Sequence, residues 1–178
     1  MLAFTPGQVG LLENAAVPAS AMVGTNETAA EIVERMFQVV VALQCAEMNG
    51  AINRVFEFTV QWAFDRYSFG RPLASYQALK HRFSDMRTWI ECCNATADEA
   101  VKAVNNRSEN SARLVSVAKA YIGTKSVQII QDCIQMHGGL GVTWEHDCHL
   151  YLRRATTDRQ FFGTPADHKR RIADLIGL

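Results

Sequence analysis

The feature that most constrains this chain is the spacing of its apolar residues between positions 76 and 104. Tyr76, Leu79, Phe83, Met86, Ile90, Cys93, Ala97, Val101 and Val104 recur at intervals of three and four. At 3.6 residues per turn these positions form one stripe, so the segment reads as a helix packed among helices. The same period runs through Ile32, Met36, Val40, Leu43, Ile52, Val55, Phe56 and Val60, and through Leu114, Ala118, Ile122, Ile129, Ile130 and Cys133. No period-two run of β-branched residues competes with it. The expected fold class is all-α, an up-down bundle of three long helices and one or two shorter ones.

Local signals set the boundaries. Thr28 followed by Glu31 reads as a capping box opening the first helix, which ends before Gly70-Arg71-Pro72. The polar run Asn105–Asn110 separates the second helix from the third, and Gly138-Gly139 stops the third. A shorter helix is expected over about 144–158, and Thr164-Pro165 reads as N-cap plus first-turn proline of the last. Residues 1–24 carry Pro6, Gly7, Gly10, Pro18 and Gly24 and no basic residue, so they are expected as a loop-rich segment separate from a bundle over 25–178.

Composition narrows the class. With 178 residues, 48% hydrophobic and 20% charged, the chain can bury one core and is neither disordered nor collagen-like. Lys+Arg and Asp+Glu both number 18, which leaves no chain-wide basic footprint for nucleic acid. The five cysteines are odd in number and lack C-x-x-C spacing, which suits free thiols in a reducing compartment. Met1–Gly10 has no basic or long apolar region of a signal peptide, and the longest strongly apolar stretch, Val39–Leu43, is far short of the roughly 20 residues of a membrane helix. A cytoplasmic protein with no membrane partner is expected.

Few residues point to chemistry on local pattern alone. Gly138, Gly139 and Gly141 read as a helix stop, the alternative being close approach of backbone to a ligand. His146 and His149 stand three apart beside Glu145 and Asp147, but without an H-E-x-x-H pattern, and no metal is expected. Arg153, Arg154, Arg159, Lys169, Arg170 and Arg171 read as a solvated face, the alternative being attraction for phosphate. No nucleophile elbow is present.

Two stretches carry a resemblance. Arg66 to Met86, RYSFGRPLASYQALKHRFSDM, resembles the R-x-x-F-G-x-P-x-x-x-x-Q-x-x-x-H segment of acyl-CoA dehydrogenases. Gln135 to Arg154, QMHGGLGVTWEHDCHLYLRR, resembles the second signature of that family, and Gly163-Thr164 falls at its Gly-Thr before the last helix. The likeness covers roughly residues 26–178 and implies the family's C-terminal helical domain. The family removes the α and β hydrogens of an acyl-CoA thioester, a carboxylate taking the proton and FAD the hydride. Its FAD straddles a subunit interface. Carried over, Arg66, Phe69 and Gln77 contact the ADP half of a flavin held mainly by a neighbouring subunit. Gln135, Gly138 and Gly139 line its pyrophosphate and adenosine end, and Thr164 offers its hydroxyl.

The departures matter as much. The family's usual catalytic glutamate position, directly before the Gly-Thr, is Phe162; the minority position in the first helix is Val40, followed by Val41 where an arginine often stands. The catalytic base is therefore unknown. Glu47 is the candidate for a displaced base, its alternative a polar structural role. The WEHD stretch and Glu47-Met48-Asn49-Gly50 look most like the heteromeric dehydrogenases that process steroid side chains, in which one subunit type lacks a base. The expected partners are acyl-CoA dehydrogenase-like chains, in a homo- or hetero-oligomer, and an acyl-CoA substrate. The alternative is a non-catalytic oligomerisation module. At 178 residues there is no room for the family's other two domains, so residues 1–24 are expected to be the tail of its middle β domain, and the chain a fragment or a shortened subunit.

Overall fold

The computed structural model describes residues 13–25 and 27–178. The chain divides into two compact units, Met1–Glu34 and Arg35–Leu178. In the first, Ala19–Ala21 forms one turn of 3₁₀ helix, and Thr25 and Thr28 hydrogen-bond to each other ahead of the first long helix. Thr28 Oγ1 accepts from Thr25 N at 2.9 Å, so the hydroxyl that the capping-box reading assigns to Glu31 is engaged on the preceding turn. Residues 1–12 of the expected N-terminal segment lie outside the described residues.

The long helices follow the apolar period. α1 spans Ala29–Asp65, α2 Gln77–Asn105 and α3 Ser111–His137, with shorter α4 over Cys148–Gln160 and α5 over Pro165–Leu175. The result is the up-down bundle expected of three long helices joined by short connections. α3 is central: it packs against α2, α4 and α5. Its Val115, Ala118, Ile122, Ile129, Ile130 and Cys133 are fully buried. They join Val41, Cys45, Met48, Ile52 and Val55 of α1 and Met86, Ile90 and Cys93 of α2 in one apolar cluster. Each large side chain fully buried there stabilises the fold by roughly 1.5–3 kcal/mol. Two polar contacts cross this core between helices: Asn49 Nδ2 donates to the Cys93 carbonyl at 3.0 Å, and the Ser111 hydroxyl to Gln38 Oε1 at 2.7 Å.

The break after α1 contains order that apolar period does not reveal. β1 (Tyr67–Ser68) and β2 (Arg71–Pro72) pair antiparallel, Tyr67 opposite Pro72 and Ser68 opposite Arg71. Phe69 and Gly70 turn the chain with φ of +50° and +78°, the conformation of a type I′ hairpin turn. Tyr76 donates its hydroxyl to the Ser68 carbonyl at 2.6 Å, and the Arg71 guanidinium lies 3.9 Å from the Tyr76 ring centre. Among the described residues no helix is long and apolar enough to cross a membrane.

Candidate functional site

The hairpin presents the first group of sequence-identified residues. Phe69 is 96% exposed at the turn, where φ > 0 is unfavourable for a bulky side chain. Arg66 follows the last residue of α1, and its guanidinium lies 5.9 Å from the Trp62 ring centre. Its carbonyl accepts from Leu73 N at 2.8 Å, which ties the two ends of the hairpin. Gln77 is exposed as the first residue of α2.

The second group sits at the far end of α3. Gln135 is exposed in the last turn, and Gly138 follows with φ of +61° and ψ of −138°, a conformation open to glycine. A Cβ at Gly138 or Gly139 would meet nothing within 4 Å, whereas one at Gly141 would stand 2.6 Å from the Ile134 carbonyl oxygen. The three glycines therefore serve different ends: Gly141 is required by packing, while Gly138 and Gly139 leave bare backbone open to the outside.

Trp62 joins these two groups. Its ring stacks on His137 with centroids 5.2 Å apart, and His137 directly precedes Gly138. His137 is 5% exposed and touches Phe58 and His146 as well. Burial, with the neighbouring His146, brings its pKa down to about 4, so the ring is neutral at physiological pH. The Thr59 hydroxyl spends its proton on the Val55 carbonyl at 2.7 Å, so at 3.1 Å it accepts from His137 Nε2–H. A cleft of about 400 Å³ opens beside this cluster, lined by Phe58, Trp62, Asp65, His137, His146 and Asp147 among others.

Thr164 is elsewhere. It caps α5: its Oγ1 accepts from Asp167 N at 3.2 Å and donates to Asp167 Oδ2 at 2.7 Å. These bonds hold the Asp167 carboxyl below the ordinary aspartate range. Pro165, next in sequence, packs against Gly123 of α3, where a Cβ would come within 3.3 Å of its ring. Gly123 precedes Gly138 by fifteen residues, about 22 Å along a helix axis. Arg66 and the 135–139 stretch thus share one end of the bundle, and Thr164 does not share it.

No carboxylate stands at either position where the resemblance looks for a base. Phe162 is 49% exposed at φ of +57°, its carbonyl accepting from His168 Nε2 at 2.9 Å. Val40 is half-buried and Val41 fully buried. Glu47 is held at both oxygens by Arg154, at 2.7 Å to Nε and 2.8 Å to Nη2. Arg154 Nε also lies 3.2 Å from Oδ2 of the buried Asp158. Burial, and the Glu47 charge, push Asp158 above the usual carboxylate range. The buried Lys119 ammonium donates to Gln44 Oε1 and the Asp158 carbonyl. Glu47, Arg154, Ala51, Leu150, Tyr151 and Asp147 line a second cleft of about 400 Å³.

The comparisons with known proteins agree with this architecture. The sequence model "Acyl-CoA dehydrogenase, C-terminal domain" matches residues 30–177. The chain belongs to the acyl-CoA dehydrogenase family. It is 38% identical over 134 residues to "Acyl-CoA dehydrogenase IpdE2" of Mycobacterium tuberculosis, an alignment covering 75% of this chain and 40% of that one. Among solved structures it is similar to "PigA with FAD and proline", at 25% identity and a TM-score of 0.85, covering 91% of this chain and 42% of that one. The fold also matches a variant of the Tcur3481-Tcur3483 steroid ACAD, at 24% identity and a TM-score of 0.75, covering 79% and 38%. The chain spans about two fifths of the length of the IpdE2 relatives it matches.

The pairing of His146 with His149 that sequence spacing suggests does not form. His149 turns its Nδ1 to the His146 carbonyl at 2.8 Å and its ring to Trp144. His146 instead meets His137, a contact that only the return of the chain after Gly141 creates.

Proposed function

We propose that this chain supplies part of a shared FAD site in an acyl-CoA dehydrogenase and carries no catalytic base of its own. The single observation behind the second half is the locked state of Glu47, the remaining carboxylate candidate, which Arg154 holds at both oxygens. A base must face a substrate proton within hydrogen-bond reach, whereas Glu47 is turned to Arg154, and the two family positions offer only Phe162 and Val40. The base then comes from a partner chain, which suits a heteromer of the steroid side-chain type. The name of the solved steroid ACAD agrees with that substrate class.

The residues at the hairpin end fit a dinucleotide. Arg66 offers a guanidinium to phosphate, Phe69 an exposed apolar face, and Gln77 and Gln135 amides for polar edges. Gly138 and Gly139 present backbone to which a large ligand can come close, since a Cβ at either meets nothing. A bound FAD supplies the hydride acceptor; this chain's residues bind and orient it. Thr164 adjoins Pro165, which packs at Gly123, about 22 Å of helix rise along α3 from Gly138, and we assign it to a second site in the oligomer. The stripe of exposed Met36, Val39 and Leu43 on α1 gives the oligomer an apolar contact surface.

The second reading, an oligomerisation module without redox chemistry, draws on the same missing base. One experiment separates them. The chain is isolated from its own cells with whatever chains accompany it, and flavin absorbance and its bleaching by acyl-CoA thioesters are recorded with native masses. We expect a hetero-oligomer containing FAD, and loss of that FAD, with the oligomer kept, on Arg66→Ala. An intact oligomer without flavin sinks the FAD reading and leaves the module.

A further inference from the structure

We propose that His137, His146 and Cys148 form a binding site for a zinc-class transition metal ion that clamps the α3–α4 connection. One donor atom from each of the three lies within 4.8 Å of the other two. They come from the last residue of α3, the turn after the glycine stretch and the first residue of α4, so an ion among them closes a loop.

The donors have the properties a metal requires. Because Thr59 accepts from His137 Nε2–H, Nδ1 carries the free lone pair of the neutral ring. That Nδ1 is buried and has no hydrogen-bond partner. A buried, unpaired imidazole nitrogen is costly, and coordination satisfies it. The bond from Nε2–H to Thr59 is the outer contact that fixes tautomer and ring orientation in metal-binding histidines. Cys148 is fully buried beside it with no disulfide partner. His146 Nδ1 holds a single bond from Cys148 N at a long 3.2 Å, which an ion replaces.

Size and ligand type select the ion. Zinc bonds of about 2.0 Å to nitrogen and 2.3 Å to sulfur place tetrahedral ligands roughly 3.3–3.7 Å apart. The donor atoms, within 4.8 Å of one another, need to draw in by about 1 Å, and the half-buried His146 ring is the ligand with room to move. Two imidazoles and one thiolate exclude magnesium and calcium, which take oxygen. Binding forms the metal–sulfur bond and releases the Cys148 proton to solvent. His137 and His146 both line the open cleft described above, which gives an ion a path to the site.

The test uses the full chain, stripped with chelator and titrated with cobalt(II), then zinc(II), each alone. We expect one cobalt per chain, with a thiolate charge-transfer band and tetrahedral d–d bands, displaced by one zinc. Zinc should raise the thermal midpoint. Cys148→Ser should abolish the charge-transfer band and weaken zinc at least about 100-fold. His146→Gln, at a half-buried position, should weaken zinc as much, and it decides the matter should Cys148→Ser not fold. Thr59→Val should weaken it about 10- to 100-fold by freeing the His137 ring. Cys92→Ser, at the exposed cysteine, should change nothing. No stoichiometric uptake, or uptake that both Cys148→Ser and His146→Gln retain, overturns the site.

Discussion

Single residues carry the argument at the hairpin. Phe69 is 96% exposed and held at φ of +50°, a position that suits asparagine in a type I′ turn. An ordinary side chain there costs roughly 1–2 kcal/mol, and its exposure leaves that cost without return from packing in this chain. Strain of this kind gathers at functional sites, and a ligand contact at Phe69 rests on the proposed flavin site. Phe69→Asn is therefore expected to raise the thermal midpoint by about 2–4 °C while weakening flavin retention in the assembled complex about tenfold. Asparagine is the better probe than glycine, which would add freedom to the unfolded chain. Calorimetry and flavin dissociation measured on the same variant check both halves, and a fall in the midpoint removes the strain argument. The motif around Phe69 was readable in the sequence; its backbone strain was not, because positive φ in a phenylalanine runs against residue preference and only the paired strands impose it.

At the scale of elements, the helices were legible because one apolar period decides both their existence and the face they bury. α3 ends at His137, where Gly138-Gly139 predicts it. α4 begins at Cys148 instead of near 144, because Thr143 donates its hydroxyl to the Leu140 carbonyl at 2.9 Å and Cys148 N bonds His146 Nδ1, holding the intervening residues as turns. Such bonds from side chain to backbone compete with helix and leave no period to read. The start of α5 was legible, since Thr164 caps it and Pro165 opens it as read; the return bond from the Asp167 side chain to the Thr164 N–H is added by the structure. Thr164→Ala is expected to cost about 1 kcal/mol and Thr164→Ser a few tenths, measured by urea unfolding. Equal losses for the two would mean that the threonine methyl, and not the hydroxyl, holds the helix start.

For the whole molecule, sequence motifs name the residues of a site without giving the distance between them. Arg66 and Gly138, 72 positions apart, are joined through Trp62 and His137, while Thr164 docks beside Gly123 at another level of α3. Tertiary packing also sets how the molecule responds to alkali. Burial pushes the thiols of Cys45, Cys93 and Cys133 from an ordinary 9.0 up to about 12, and that of Cys148 up to about 11. It draws the Lys119 ammonium from 10.5 down to about 8, against the charges of Cys45 and Asp158. The two shifts act with opposite sign. A thiol whose folded pKa is raised holds its proton while the unfolded chain has lost its own, so the folded state weakens as pH climbs from 9 towards 12. A lysine whose folded pKa is lowered sheds its proton first, so the folded state gains between pH 8 and 10.5. Up to pH 9 the lysine acts alone and stability should rise slightly. Above it four thiols oppose one lysine, a net three protons, so stability should fall by on the order of 4 kcal/mol per pH unit. Urea midpoints taken under reducing agent should therefore peak near pH 9 and drop steeply by 10.5. Lys119→Met should erase the rise and leave the drop, and Cys93→Ala should shallow the drop by about one proton's worth. A midpoint that stays level from pH 9 to 10.5 would mean that water reaches these thiols in the folded chain, against the closed core that the packing of α1, α2 and α3 describes.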